Sequence, residues 1–334
     1  GTVGDNPGLE SSVAVFVDGV YRSRSGAALN EIGPVDRVEV LRGPQGTLFG
    51  RNASAGLINI VTAAPEFDFG AYGAGSYGNY DFYRLEGGVT GPLTDTIAAR
   101  IDGVYSKRDG FYDDVVNDTT VNNRDRYLVR GQVAFEPTED LQFRLIGDYS
   151  KKDEACCAAV FIDGGTPGAN IPLSGDAANP QGYGDPLISA ANPIIPVLLD
   201  LGQDPRAFTD DMYDRNIYPT AGRSYEGKTE DWGASLQADW NLGGIELTSI
   251  TGYREYLNQQ GGDTDYTTVD ILYREPGPDA GSRKFETFSQ ELRLQGSLFD
   301  DRLDWLVGGY FANEDLTVRD NLKFGTEYGR FATC

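Results

Sequence analysis

The feature that most constrains this chain is a set of about nine segments in which apolar and polar side chains alternate. Between residues 231 and 242, Trp232, Leu236 and Trp240 occupy one parity, and Asp231 and Asp239 occupy the other. A period of two predicts β-strands with one apolar and one polar face, and about ten residues is the length of a tilted membrane-crossing strand. The predicted strands are 69–78, 80–91, 96–106, 125–136, 141–151, 230–242, 245–257, 285–297 and 303–314.

The connections between these strands alternate in length. Short links lie near 92–95, 137–140, 243–244 and 298–302, and long loops lie near 107–124, 152–229 and 258–284. Short turns at one end and long loops at the other are typical of an outer-membrane barrel. A soluble sheet with one dry face is the alternative. Aromatic residues near strand ends fit interfacial girdles: Tyr105, Tyr149, Trp240, Tyr253, Tyr256, Trp305 and Tyr310.

Composition excludes several functional classes. With 28 basic and 51 acidic residues the formal charge is −23, which argues against a nucleic-acid partner. The chain has no histidine, and so it lacks the commonest metal ligand and the commonest general base. We therefore expect no enzymatic activity, no catalytic residues, no metal site and no cofactor. No apolar stretch of about 18 residues is present for a transmembrane helix.

Residues 1–67 have a different texture, with short apolar segments between glycines, which predicts a mixed α/β region. The segments 13–21, 35–53 and 55–62 resemble, in order and spacing, the second half of the plug domain of TonB-dependent outer-membrane receptors. The segments 247–254 and 289–294 resemble the barrel of the same family.

This resemblance implies a mainly β fold, a transmembrane antiparallel barrel of about 22 strands with the plug in its lumen. Residues 1–67 would be the C-terminal half of the plug, and 68–334 the N-terminal part of the barrel. The chain would then be an internal fragment, with the TonB box upstream.

The implied function is TonB-dependent active transport of a scarce nutrient, most often a ferric-siderophore, across the bacterial outer membrane. A glycan or an aromatic compound is the alternative cargo. A passive porin and a secreted β-rich glycan-binding module are more distant alternatives. The implied partners are TonB, the imported ligand, outer-membrane lipid and lipopolysaccharide.

Two groups of plug residues are candidates for function. By resemblance, Tyr21, Arg22 and Arg24 lie in a loop that points toward the external pocket and contact substrate; lumen-facing salt bridges are the alternative. Glu39 and Arg42 would tie the plug to the wall or to each other during energy coupling, or form a structural ion pair. The glycine-rich turn residues of this group serve backbone conformation: Gly43, Pro44, Gly46, Gly50 and Gly56.

The external loops carry two further expectations. The loop 152–229 is either a lid over the ligand or a solvated acidic loop, and Asp263-Thr264-Asp265 lacks the glycine and closing glutamate of a calcium loop. By loop counting, Cys156, Cys157 and Cys334 all face the oxidising exterior. We expect a bridge from Cys156 or Cys157 to Cys334, with a vicinal Cys156–Cys157 bond as the alternative.

Overall fold

The computed structural model describes residues 11–23, 31–46, 53–161, 194–223, 225–299 and 302–333. In chain order the strands are β1 Val13–Val17, β2 Val20–Arg22, β3 Val35–Arg42, β4 Gly56–Thr62, β5 Gly70–Gly78, β6 Phe82–Thr94, β7 Ile97–Arg108, β8 Tyr112–Asp114, β9 Thr119–Val121, β10 Arg124–Thr138, β11 Leu141–Ala155, β12 Asn216–Ile217, β13 Glu226–Asn241, β14 Ile245–Gln260, β15 Gly262–Asp263, β16 Leu272–Arg274, β17 Gly281–Leu298, β18 Leu303–Asp320 and β19 Leu322–Phe324. The helices are α1 Ile194–Asp200, α2 Arg206–Thr209, the 3-10 helix Met212–Asp214 and α3 Tyr328–Phe331.

The first four strands form a small sheet in the order β2-β1-β4-β3. Strands β1 and β4 are parallel, and the other two pairings are antiparallel. Asp18 and Gly19 both adopt positive φ angles, of 49° and 74°, which is the tight-turn geometry that joins two antiparallel strands. The apolar core of this sheet contains Ala14, Phe16, Tyr21, Ala53 and Leu57.

Nine long strands form one antiparallel sheet, which we call the wall. Its order is β18-β17-β14-β13-β11-β10-β7-β6-β5, so each strand pairs with its neighbour along the chain among these nine. The mainly β, up-and-down arrangement predicted from the alternation is confirmed. Strands β17 and β18 have 18 residues each, longer than the 9–11 that cross a bilayer. These strands are thus longer than a bilayer crossing requires, and the excess lies on the side of the long loops.

The two faces of the wall differ as the alternation predicts. The inner face packs on the small sheet formed by β1–β4, which we call the plug sheet after the resemblance noted above. Apolar side chains cover the outer face. Two aromatic rows cross the outer face by strand register. The upper row is Tyr105, Tyr127, Tyr149, Trp232, Tyr253, Phe288 and Phe311, and the lower row is Phe135, Phe143, Trp240 and Trp305. These rows are typical of the girdles at both interfaces of a membrane barrel.

Two of the predicted girdle residues were assigned to the wrong face. Tyr256 lies opposite Asp231 and its ring contacts the buried Phe285. Tyr310 lies opposite Glu291. Each is an odd number of residues from an outer-face aromatic on its own strand, and successive side chains point to opposite faces. Both therefore face inward.

The external elements form a folded unit that we call the cap, comprising residues 194–223, 262–274 and 322–331. Its apolar core joins the three segments: Ile195, Leu198, Leu201, Phe208, Val269 and Ile271 are buried, with Leu272 and Phe331 packed against them. Within its described residues, the longest predicted loop is thus packed against other loops rather than solvated. Among the described residues, no helix is both long and apolar enough to cross a bilayer.

Candidate functional site at the plug and the inner wall

A polar clasp joins the plug sheet to the wall. The Arg144 guanidinium on β11 donates to the Thr62 carbonyl and to Thr62 Oγ1, both at 3.1 Å, and lies 3.5 Å from Asp18 Oδ1. Gln132 on β10 donates to the Ala63 carbonyl at 2.9 Å and accepts from Arg144 at 2.6 Å. Asp18 in turn accepts from the Thr62 amide at 2.9 Å and from its hydroxyl at 2.8 Å. The end of β4 is therefore fixed to two wall strands.

A buried charge triad lies within the wall beside the plug. Arg254 on β14 donates two hydrogen bonds to Asp148, at 3.0 and 2.7 Å, and another to Asp231 at 2.7 Å. It reaches Asp148 by lying across Gly233, which is directly opposite both residues on β13. A Cβ at Gly233 would come within 2.9 Å of the Arg254 side chain. Glycine at position 233 therefore leaves room for the Arg254 side chain to extend across β13 to Asp148 on β11.

Above the plug, the inner face of the wall is basic. Arg108 lies directly opposite Arg124, and Arg126 lies directly opposite Lys152. We call these four residues the basic row. Arg126 pairs with Glu154 at 2.6 Å; within the described parts of the chain, Arg124 and Lys152 have no ion-pair partner. Like charges placed opposite each other across strands are destabilising, and such an arrangement is typical of a site for an anion.

Aromatic and amide groups stand on the same face farther along the wall. The rings of Tyr256 and Phe285 are 5.8 Å apart, and Asn258 lies directly opposite Arg283 above them. Guanidinium groups with adjacent aromatic rings suit a ligand that is anionic, aromatic or both. The upper inner wall can therefore bind such a ligand noncovalently.

The predicted substrate residues are placed in three different ways. Tyr21 is only 3% exposed and packs on Phe16, with ring centroids 5.4 Å apart. This corrects its expected role as a direct ligand contact, because its side chain belongs to the plug core. Arg22 is half-buried at the end of β2, and its Nη1 has no hydrogen-bond partner. Arg24 lies outside the described residues.

The predicted coupling residues do not pair with each other. Glu39 accepts from Arg37 at 2.7 Å and from Asn59 at 2.9 Å, and these hydrogen bonds, that from Arg37 first, lower the pKa of Glu39. Arg42 forms no ion pair with a described residue. Of the two expected arrangements, a tie between Glu39 and Arg42 is therefore wrong, since residues three apart on one strand point to opposite faces. A tie of either residue to the wall during energy coupling stays a prediction.

The glycine-rich turn serves the plug backbone where it is described. A Cβ at Gly56 would lie 2.7 Å from the Leu41 carbonyl, so the close pairing of β3 with β4 requires glycine there. Gly43 has a φ of 81° and donates to the Ala55 carbonyl at 3.2 Å. Pro44 and Gly46 lie beside it without such a constraint, and Gly50 lies outside the described residues.

The structure bonds Cys156 to Cys157. This corrects the expected bridge to Cys334, which itself lies outside the described residues. The backbone explains the pairing: the Cys156 amide donates to the Tyr225 carbonyl at 3.0 Å and the Cys157 amide to Asn122 Oδ1 at 2.9 Å. Both cysteines are thus held where three external loops meet. Gln260 Nε2 lies 3.7 Å from each sulfur.

Sequence reasoning missed the basic row and the clasp. Both could have been found by selecting the alternate residues of each predicted strand that face inward. The charges of those residues near the long loops could then have been compared with their charges near the short turns. In the described residues no group of three or more metal-ligating side chains is present.

Comparison with known proteins shows what this geometry is similar to. A family model described as the TonB-dependent receptor plug domain matches residues 3–57. This segment is therefore similar to the plug domain of those receptors. The plug is followed by a wall of matching architecture: 91% of this chain superimposes on the ferric yersiniabactin uptake receptor of Yersinia pestis with a TM-score of 0.67 at 18% sequence identity.

Two curated relatives of this chain are named as receptors. The chain is 39% identical over 84 residues to the pesticin receptor of Yersinia pestis. It is 26% identical over 268 residues to the ferric-pyoverdine 358 receptor of Pseudomonas putida. The first match covers 25% of this chain and 12% of the relative, and the second covers 71% and 32%. The superposition covers 39% of the yersiniabactin receptor, so the chain spans well under half of each.

Proposed function

We propose that this protein imports a ferric-siderophore across the bacterial outer membrane in a TonB-dependent manner. The observation that carries the proposal is the basic row, Arg108, Arg124, Arg126 and Lys152, on the inner wall directly above a TonB-dependent receptor plug. In a chain of net charge −23, a local excess of positive charge needs a partner. An anionic ferric chelate supplies that partner, and the names of the relatives agree with this cargo.

The mechanism follows from the same geometry. The ligand enters between the external loops and binds the basic row and Tyr256, whose ring packs on the buried Phe285. TonB, acting on a segment upstream of the plug, then rearranges the plug within the lumen. The clasp through Arg144 keeps the end of β4 on the wall while the rest of the plug moves. No bond in the cargo is made or broken, so the protein acts as a receptor and transporter and not as an enzyme.

The same proposal assigns the domains and the surroundings. The division between residues 67 and 68 falls between the end of β4 at Thr62 and the start of β5 at Gly70, which supports a plug unit followed by a barrel unit. The two aromatic rows support contact of the outer face with outer-membrane lipid and lipopolysaccharide.

The test is ligand binding by the full-length receptor in detergent. A panel of ferric catecholate, hydroxamate and pyoverdine-type chelates is titrated, with tryptophan fluorescence as the readout. The double variant Arg124→Gln, Lys152→Gln removes two charges that have no ion-pair partner in the described residues. It should weaken binding by at least about tenfold, since hydrogen bonds to charged groups contribute about 1.5–3 kcal/mol each.

The matched control is Lys228→Gln, because Lys228 is 43% exposed and pairs with Glu226 outside the basic row. It should leave affinity within about twofold. Binding of glycans or uncharged aromatic compounds, with no response to any ferric chelate, would replace the siderophore with the alternative cargo.

A further inference from the structure

One carboxyl group inside the cap is buried and has no cationic partner among the described residues. Asp263 on β15 is 2% exposed, and its Oδ1 has no hydrogen-bond partner in that part of the chain. Its other oxygen accepts from the Thr220 amide at 2.7 Å. Asp263 therefore joins two external loops that are 43 residues apart in sequence. An ionised carboxylate is costly to bury unless it is paired with a cation or fully hydrogen-bonded.

The groups around Asp263 on its own hairpin do not offset a negative charge. Asp265 accepts from the Thr267 amide and hydroxyl, at 2.9 and 2.5 Å, and from the Leu272 amide at 2.7 Å. With the Ile271 amide at 3.2 Å, Asp265 accepts from four donors in all. The burial that is not offset by hydrogen bonds therefore falls on Asp263, and burial favours the neutral form of a carboxyl group.

The other elements packed here bring phenols and a third carboxyl. The rings of Tyr225 and Tyr266 are stacked at 6.3 Å, and burial, with the charges of Asp263 and Asp114 nearby, raises the pKa of Tyr225. Asp114 is itself 3% exposed and accepts from the amides of residues 116 and 117.

Two arginines beside this hairpin pair with other carboxylates, and Arg283 on β17 lines the same cavity as Asp263. Arg274 on β16 pairs with Asp320 at 2.5 Å and only approaches Thr264, at 3.5 Å. Arg223 pairs with Asp270 at 2.5 Å and lies over the ring of Tyr273, the residue directly opposite Asp263.

We propose that protonation of Asp263 controls closure of the cap: the carboxyl group is protonated when the cap is closed and ionised when it opens. The protonated carboxyl donates to Asp265 and accepts from Thr220, so both loops stay joined. Loss of the proton places two carboxylates side by side in a buried site, and their repulsion separates the loops.

The direction of the pH dependence follows from the raised affinity for the proton. In the closed cap, burial raises the pKa of Asp263 to about 7, and the charge of Asp265 adds to the rise. In an open cap the carboxyl group is exposed, and its pKa returns to about 3.9. The closed cap binds the extra proton, so closure is favoured in acid and is lost as the pH rises from about 4 to about 7. With these two values, the open fraction increases about tenfold between pH 6 and pH 8.

The cap overlies a cavity of about 270 Å³ lined by the Cys156–Cys157 disulfide, Gln260, Asp263 and Arg283. A ligand held there leaves more slowly while the cap is closed. That consequence rests on the proposed transport function, whereas the pH dependence of the cap does not.

The test is hydrogen–deuterium exchange of the full-length receptor in lipid nanodiscs without ligand, at pH 6, 7 and 8, after correction for intrinsic exchange rates. Peptides covering 216–223 and 262–272 should exchange about tenfold faster at pH 8 than at pH 6. Peptides covering the wall strand 141–155 serve as the internal reference and should not change.

The variant Asp263→Asn reproduces the protonated carboxyl, because its amide nitrogen donates to Asp265 and its oxygen accepts from Thr220. It should keep the cap closed and flatten the profile. Asp214→Asn, at an exposed carboxylate of the same cap, is the matched control and should retain the wild-type profile. A wild-type profile that is flat between pH 6 and pH 8, or an Asp263→Asn profile as steep as the wild type, would overturn the proposal.

Discussion

Removing the Arg254 side chain tests how the buried charges hold the wall. In Arg254→Met, the aliphatic volume is largely kept and the guanidinium is lost. Asp148 and Asp231 are each 9% exposed and would be left as adjacent carboxylates without their shared cation. Breaking a buried ion pair by removing one partner costs about 3–5 kcal/mol. We expect the free energy of unfolding to fall by that amount.

The assay is equilibrium urea unfolding of the full-length receptor refolded into lipid vesicles, followed by tryptophan fluorescence and by heat-modifiable migration on gels. The triple variant Arg254→Met, Asp148→Asn, Asp231→Asn removes all three charges together and should recover most of the loss, to within about 1–2 kcal/mol of wild type. Arg319→Met is the matched control, since its partner Asp279 is 86% exposed, and it should cost less than about 1 kcal/mol. The reasoning fails if Arg254→Met is as stable as the control, or if the triple variant is no more stable than the single one.

Three further predictions follow from individual positions. A Cβ at Gly88 would lie 2.2 Å from the Asp102 side chain and 2.8 Å from the Ile101 carbonyl. Gly88→Ala should therefore lower the free energy of unfolding by about 3 kcal/mol in the same assay. Gly131→Ala, whose Cβ would have nothing within 4 Å, should be close to neutral. Non-reducing digestion with mass spectrometry should find Cys156 and Cys157 in one peptide that is lighter by two hydrogens; a cross-linked peptide containing Cys334 would contradict the observed pairing. Tyr21→Leu should lower the stability of the plug by about 2–3 kcal/mol and leave ligand affinity within about twofold, and a large loss of affinity at unchanged stability would return Tyr21 to the ligand site.

The wall could be predicted from sequence because its determinants are local. Residues such as Leu236 and Asp239 face opposite sides wherever the strand lies, so the alternation alone gives the strands and their faces. The predicted segments end a few residues early, as at 151 against Ala155. The reason is that the pairing of β11 with β13 continues to Ala155, whereas Lys151 and Asp153 end the apolar alternation on the outer face.

The errors arise where position depends on distant parts of the chain. Tyr21 follows a turn and carries a polar tip, which suggests exposure, but the fold of β1 onto β4 buries it beside Phe16. The basic row depends on the registers of β7, β10 and β11, which place Arg108 opposite Arg124 and Lys152 opposite Arg126. The apolar core of the cap joins residues from loops that are far apart in sequence. Such contacts leave no periodic pattern in the sequence from which they could be predicted.

The most direct test of the central claim is uptake of iron-55 from ferric-siderophores by whole cells. Cells carrying the full-length receptor are compared with cells that lack it, under iron starvation, with and without a protonophore that collapses the inner-membrane proton gradient. The account predicts uptake that requires the receptor, is abolished by the protonophore, and is reduced by Arg124→Gln, Lys152→Gln and not by Lys228→Gln. Uptake that continues after the gradient is collapsed would indicate passive diffusion through the barrel, and no receptor-dependent uptake of any ferric chelate would contradict the siderophore assignment.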